Sequence, residues 1–322
     1  MKVSDIKLRM NTCGASKTPF LFAVDFDLEK GIFIENPMLQ SEVLFRTPLG
    51  TNQTDTDINS TQANISASPL TYEEYEQRLN AVMQGLMRGD SYLANLTVRT
   101  PIEINIPLAD IFHRSQSPYG LYIPEQFVCF SPERFVKIAN RVISTNPMKG
   151  TISASVPNAE EHILADPKET AEHCTIVDLL RNDLGIVATD IQVERFRYID
   201  RISTQKGDIL QVSSEITGKL SDDYQSRLGD IIFGMLPAGS ICGAPKRSTV
   251  EIIHRAEPES RGYYTGVFGY FDGEQFDSAV MIRFIQQEGD KFFFHSGGGI
   301  TVNSQARDEY EEVLAKIYLP IL

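Results

Sequence analysis

A chain of 322 residues, 42 % hydrophobic and 23 % charged, can bury a substantial core in one large domain or two modest ones and has the composition of an ordinary globular protein. Its formal net charge of −13 repels phosphate surfaces at long range, which argues against nucleic acid or an anionic membrane as partner. Cys13, Cys129, Cys174 and Cys242 lie far apart with no C-x-x-C pair, and no run suits a signal peptide or membrane span, so a reduced, cytoplasmic protein is expected.

Along the chain, residues 1–50 read as a short N-terminal β region, in which Phe20–Phe26 and Gly31–Ile34 form a hairpin around Asp27-Leu28-Glu29-Lys30. Residues 51–68 hold almost no large apolar side chains and read as a polar loop. Thr71 with Glu74 makes a capping box for a helix whose Tyr75, Leu79, Val82, Met83 and Leu86 recur at helical spacing, ending at Gly89. A strand over Ser91–Val98 follows, then a strand pair, Gln126–Phe130 and Phe135–Ile138, joined by Ser131-Pro132-Glu133. Lys168–Leu184 reads as a helix closed by Gly185, and Pro245 opens another that runs to about Arg255. Three consecutive strands, Gly262–Asp272, Phe276–Gln286 and Lys291–His295, lead into a triple glycine, and Ser304 caps a terminal helix. Strands that follow one another without intervening helices point to antiparallel sheet and an α+β fold.

Several residues stand out chemically. Lys149 sits in Asn146-Pro147-Met148-Lys149-Gly150-Thr151, a constrained turn that aims its amine, and Gly150 lets a ligand approach the backbone. Glu169 with Glu172, and Glu309 with Glu312, are each three residues apart on predicted helices, so each pair presents two carboxylates on one face. Such pairs suit Mg²⁺, but either alone is more often an ordinary solvated face, and Glu312 with Lys316 four residues on is a routine ion pair. Arg283 lies in the apolar strand Ser278–Ile285, where a guanidinium needs an anion, either a structural carboxylate or a ligand. Gly297, Gly298 and Gly299 form either a tight turn or a stretch whose amides face an anion.

The order and spacing of Ser131-Pro132-Glu133-Arg134, the Lys149 turn, Ile176–Gly185, Gly243-Ala244-Pro245-Lys246, Ile282-Arg283 and Gly297–Ile300 resemble the chorismate-utilising enzymes. Within that family they resemble the component I branch of the aminodeoxychorismate synthases, where a lysine stands at the position that is usually alanine in anthranilate synthase. The likeness is dense from about residue 71 onward. It implies two antiparallel sheets in a sandwich flanked by helices, formed by the whole chain 1–322 as one chorismate-binding domain. It also implies Mg²⁺ on Glu169, Glu172, Glu309 and Glu312 holding the ring carboxylate. Gly150, Thr151, Tyr264, Arg283, Gly297, Gly298, Gly299 and Lys316 would contact the substrate.

Amination at C4 through a covalent adduct between Lys149 and C2 is the activity implied, with Glu133 as proton donor to the departing 4-hydroxyl, in the first committed step toward para-aminobenzoate and folate. A neutral Lys149 amine and a raised Glu133 pKa are then expected, with the lysine pKa depressed by burial or a nearby cation. No G-x-C-x-G glutaminase loop is present, so ammonia should come from a separate glutamine amidotransferase subunit. Two positions depart from the family pattern: Gln211 stands where a histidine is usual, and Cys242 where a hydroxyl residue is common. Anthranilate, isochorismate or salicylate synthesis are the nearest rival activities. A non-catalytic chorismate- or amidotransferase-binding subunit is the rival of another class.

Overall fold

The structure, a computed structural model, describes residues 1–54, 61–204 and 207–321. The hairpin expected near the N-terminus forms as Phe20–Val24 against Gly31–Glu35, with Phe20 opposite Glu35 and Val24 opposite Gly31. Its first strand also pairs with Val267–Phe271 and so becomes an interior strand, buried on both faces. Phe20, Phe22 and Val24 pack toward helices, whereas Leu21 and Ala23 join the core between two sheets. Alternation of side chains across a strand produces this division. Each fully buried Phe or Leu contributes roughly 1.5–3 kcal/mol.

Among the described residues there are two nine-stranded sheets whose pairings are all antiparallel. The first runs Met148–Ser153, Gly207–Lys219, Val142–Thr145, Arg134–Ala139, Phe276–Val280, Val267–Phe271, Phe20–Val24, Gly31–Glu35, with Thr189–Thr204 on the far side of Gly207–Lys219. The second runs Gly243–Ala244, Leu93–Ile104, Lys291–Ile300, Phe284–Glu288, Phe127–Ser131, Tyr119–Ile123, Leu44–Thr47, Gly50–Thr51. Between them Leu21, Phe45, Leu121, Phe127, Tyr264, Phe268 and Phe284 make a shared core. The helices Val3–Ala15 and Pro167–Gly185 cover the first sheet, and Tyr72–Met87, Lys246–Ala256 and Ala306–Ala315 cover the second. This is the α+β sandwich with helices on its outer faces.

The Thr71 capping box forms in full, with Glu74 N–H on the threonine hydroxyl and the Glu74 carboxylate on the Thr71 N–H; such a cap is worth about 1 kcal/mol. Elsewhere the structure corrects the sequence reading. Residues 1–50 open with a helix, Val3–Ala15, whose Ile6, Met10 and Cys13 are buried at spacings of four and three; charged neighbours hide that stripe in the sequence. Within the polar segment 51–68, Ile65–Ala67 is an edge strand on Leu93–Ile104, and 55–60 fall outside the described residues. Gly185 ends its helix without a left-handed φ, Gln305 rather than Ser304 precedes the last helix, and the triple glycine continues a strand to Ile300. Phe127–Ser131 and Arg134–Ala139 belong to different sheets and do not pair. No helix among the described residues is long and apolar enough to cross a membrane.

Candidate active site

The site grows from two adjacent places where the chain crosses between sheets. One is Ser131–Glu133, the other Met281–Arg283. They are stitched together by Phe130 N–H to Arg283 O at 3.0 Å and Val280 N–H to Glu133 O at 3.2 Å. These irregular crossings carry Glu133 and Arg283. Arg283 takes a left-handed φ of 54°, a conformation costing a non-glycine residue about 1 kcal/mol or more. Its guanidinium lies 5.2 Å from the centre of the Tyr318 ring, and no ion-pair partner for it is found among the described residues. The structural salt bridge allowed by the sequence is therefore not what occupies Arg283.

Glu133 accepts a hydrogen bond from Ser240 Oγ at 2.7 Å through Oε1. Burial pushes its carboxyl pKa up, against the opposing pull of Ser240 and of the positive charges on Lys149, Lys316 and Arg283. The shift has the direction expected of a proton donor. It also places three cations around one carboxyl group.

Lys149 lies in the edge strand Met148–Ser153. The register against Gly207–Lys219 slips by one residue between Met148, opposite Ser213, and Thr151, opposite Gln211, so Lys149 and Gly150 form a bulge. Gly150 has a φ of 85°, and a Cβ there would lie 2.9 Å from Glu169 Oε2. The φ calls for glycine, and a larger residue would also push the Glu169 carboxylate aside. Half-buried Lys149 Nζ pairs with Glu172 Oε2 at 2.6 Å. Burial alone would lower the lysine pKa, but Glu172, with Glu312 and Glu169 behind it, outweighs burial and the pKa is raised. This reverses the expected depression, because carboxylates and not a cation surround the amine. Thr151 is exposed on the same strand, with Gln211 as its cross-strand neighbour.

The four glutamates come from two helices. Glu169 and Glu172 stand in the first turns of Pro167–Gly185, where Asp166 caps the Glu169 N–H. Glu309 is buried on Ala306–Ala315, and Glu312 lies one turn on. Gly298 faces them: a Cβ there would be 3.2 Å from Glu309 Oε2 and 3.9 Å from Glu312 Oε1. Lys316 Nζ bridges Glu312 Oε1 at 2.7 Å and Gly297 O at 2.6 Å. Gly297–Gly299 pair with Thr97–Asn95 on one side, while the neighbouring strand Phe284–Glu288 stops opposite His295, so the other side of the glycines has no strand partner among the described residues. Among the described residues no three His, Cys, Asp or Glu side chains approach closely enough for a closed ion cage. All-oxygen donors on two helices, with glycines clearing the space before them, nevertheless fit Mg²⁺, which keeps several waters and needs few protein ligands.

Tyr264 is buried in the inter-sheet core, 4.9 Å from the His295 ring, and burial pushes its phenol pKa up while Arg261 and Arg283 oppose. Cys242 is fully buried beside Phe26 and Ile253, its Sγ directed to Gly243 O, so it does not face the cleft. Its motif has a structural task. Lys246 Nζ pairs with buried Asp183 at 2.7 Å and donates to Met235 O, which joins Gly243–Lys246 to Ile176–Gly185. A Cβ at Gly239 would sit 1.9 Å from Leu179 Cδ2, so the glycine lets these segments close and seats Ser240 beside Glu133. Sequence reading missed Ser240, which lies three residues before the Gly243–Lys246 motif.

The model of the chorismate-binding enzymes matches residues 34–321. The chain belongs to that family. A PabA-like protein of Haemophilus influenzae is 52 % identical to this family member over 313 residues, 97 % of this chain and 95 % of that protein. Aminodeoxychorismate synthase component 1 of Bacillus subtilis is 33 % identical over 280 residues, 82 % of this chain and 58 % of that protein. The menaquinone-specific isochorismate synthase MenF of Escherichia coli shares the fold, with a TM-score of 0.73 at 16 % identity over 97 % of this chain and 80 % of that one.

Proposed function

We propose that this chorismate-binding enzyme aminates chorismate at C4, giving 4-amino-4-deoxychorismate, with ammonia delivered by a separate glutamine amidotransferase subunit in the cytoplasm. The observation that carries this reading is a lysine amine 2.6 Å from Glu172, beside a carboxyl group, Glu133, whose pKa is raised. The likeness to a component 1 of aminodeoxychorismate synthase supports it, as does the name of the PabA-like relative.

Chorismate is a dianion, and Arg283 and Lys316 supply charge and hydrogen bonds for its carboxylates in a chain that is negative overall. On this reading Gly297–Gly299 keep side chains away from the ring, and Tyr264, Gly150 and Thr151 would bound it. Mg²⁺ held by Glu169, Glu172, Glu309 and Glu312 would supply Lewis-acid polarisation of the ring carboxylate. Lys149, held as an ammonium by Glu172 at 2.6 Å, must give up a proton to water before it can attack, and Mg²⁺ on the same carboxylate would weaken that hold. The free amine attacks C2, the two ring double bonds shift toward C4, and the 4-hydroxyl leaves as water with the proton of Glu133. Ammonia then attacks C4, the double bonds return, and the C2–N bond to Lys149 breaks, restoring the amine. The net change is chorismate plus ammonia to aminodeoxychorismate plus water.

Incubation with chorismate, Mg²⁺ and ammonium salt, followed by chromatography, tests the reading. Aminodeoxychorismate is the expected product. Anthranilate, isochorismate or salicylate would replace it with one of the rival activities, and binding without turnover would favour a non-catalytic subunit.

A further inference from the structure

Between the residues read above as proton donor and nucleophile, a stretch of β-ladder is missing. The strands Arg134–Ala139 and Val142–Thr145 pair from Val142 opposite Ala139 to Ser144 opposite Lys137, and the pairing ends there. The chain then bends at Asn146-Pro147, and Pro147 has no N–H to offer a ladder. Beyond the bend, Met148–Ser153 runs along Gly207–Lys219, the same strand that Val142–Thr145 joins. Glu133 therefore precedes one strand and Lys149 lies in another, with no main-chain pairing between them.

Side chains span the gap. Thr145 Oγ1 donates to Phe135 O at 2.8 Å, and Arg134 Nη1 donates to Asn146 Oδ1 at 2.8 Å. Arg134 directly follows Glu133, and Asn146 stands three residues before Lys149. The guanidinium is anchored from both sheets. Its Nε lies 2.8 Å from Tyr119 Oη and 3.2 Å from Oδ1 of fully buried Asp277, and the Tyr119 hydroxyl donates to that same Oδ1 at 2.9 Å. Tyr119 belongs to the second sheet and Asp277 to the first. Nε and Nη2 face Asp277, which leaves Nη1 for Asn146. A planar fork fixed on that side holds its remaining donor at a set place.

We propose that Arg134 and Asn146 are positioning residues: their hydrogen bond takes the place of the missing ladder and sets the distance between the Glu133 carboxyl and the Lys149 amine. This rests on Lys149 as nucleophile and Glu133 as proton donor. The reaction needs both together, because the C2–N bond forms as the 4-hydroxyl leaves from another ring carbon.

The test is the rate of covalent adduct formation on Lys149 at saturating chorismate, followed by intact-protein and peptide mass spectrometry with Mg²⁺ but no ammonium. Removing Arg134 would strand the buried Asp277 without its cation and endanger the fold, so the variants are made at Asn146. Asn146→Asp keeps an oxygen for Arg134 Nη1, whereas Asn146→Leu has similar size and none. Misplacing a reacting group by about 1 Å can cost on the order of a hundredfold, so Asn146→Leu is expected to slow adduct formation by about that factor. Asn146→Ala, which removes the same oxygen without adding apolar bulk, should lose as much. Asn146→Asp should stay within about tenfold of the parent on the same geometric scale. Asn146 also meets the Tyr198 phenol, and Tyr198→Phe, which removes that contact alone, should behave like Asn146→Asp. The chorismate concentration for half-maximal rate should change little throughout, and thermal melts confirm that each variant is folded. A parental rate in Asn146→Leu and Asn146→Ala, an equal loss in Asn146→Asp, or an equal loss in Tyr198→Phe would overturn the proposal. Absence of adduct in the parent protein overturns the nucleophile itself and this proposal with it, a result distinct from the others.

Discussion

A lysine ammonium and four glutamates in one cleft look at first like a neutralised surface, and their placement argues otherwise. Lys149 is at once the residue the sequence singles out and the one whose charge state departs from expectation, because Glu172 holds it as an ammonium. The turn, the glycine and the glutamate spacings were legible because each is local. The partner of the amine was not, since Glu172 meets Lys149 only through tertiary packing of a helix on a bulged edge strand. Ser240 escaped for the same reason: a lone serine carries no periodic signal. For Glu133, loss of general-acid assistance typically costs about 10²–10⁴-fold. Glu133→Gln, which can still meet Ser240, should therefore lower kcat by that order while leaving KM for chorismate nearly unchanged; a kcat within about threefold of the parent removes Glu133 as proton donor.

At the level of elements, the site depends on interruptions. The hairpin at Phe20–Glu35, the capped helix from Thr71 and the glutamate-bearing helices follow from local patterns. The crossing at Ser131–Glu133 does not, because two short strands separated by two residues read as a hairpin whether or not they share a sheet. The second crossing at Met281–Arg283 is hidden inside a mostly apolar run with no glycine or proline to mark it. Each interruption serves the cleft, and Gly150 in the Lys149 bulge is the sharpest case. Gly150→Ala would force a Cβ against Glu169 Oε2 and strain a φ of 85°. Apparent Mg²⁺ affinity and turnover are expected to fall together by about tenfold or more, the scale of disturbing a carboxylate's support, with a melting temperature only slightly lower. Unchanged Mg²⁺ titration of the variant would separate Gly150 from the carboxylate cluster.

For the whole molecule, an antiparallel α+β fold was legible from consecutive strands and the two-sheet sandwich from the family resemblance, whereas the helix at Val3–Ala15 was not, its apolar stripe being short and flanked by charge. The sandwich also buries ionisable groups, which links stability to pH. Burial, aided by Arg99 and Arg261, lowers the His295 pKa to about 3. As pH falls below about 6.5 the unfolded chain binds a proton that the fold refuses, so this stability is complete above that value and is lost toward pH 3. The slope is at most about 1.4 kcal/mol per pH unit. Glu133, Asp183 and Asp277, whose pKa values are raised, act in the opposite sense, so a comparison with a variant isolates the histidine. Urea unfolding at pH 7 and pH 5 should show a smaller loss for His295→Gln than for the parent, and identical losses would contradict a neutral buried imidazole.

All of this serves a single amine, and the most direct measurement is the product spectrum of Lys149→Ala beside the parent, with chorismate, Mg²⁺ and ammonium salt. The account predicts that the parent forms aminodeoxychorismate and that the variant loses it or turns toward anthranilate, with ammonia then adding directly at C2. Aminodeoxychorismate from the variant at the parental rate would contradict it.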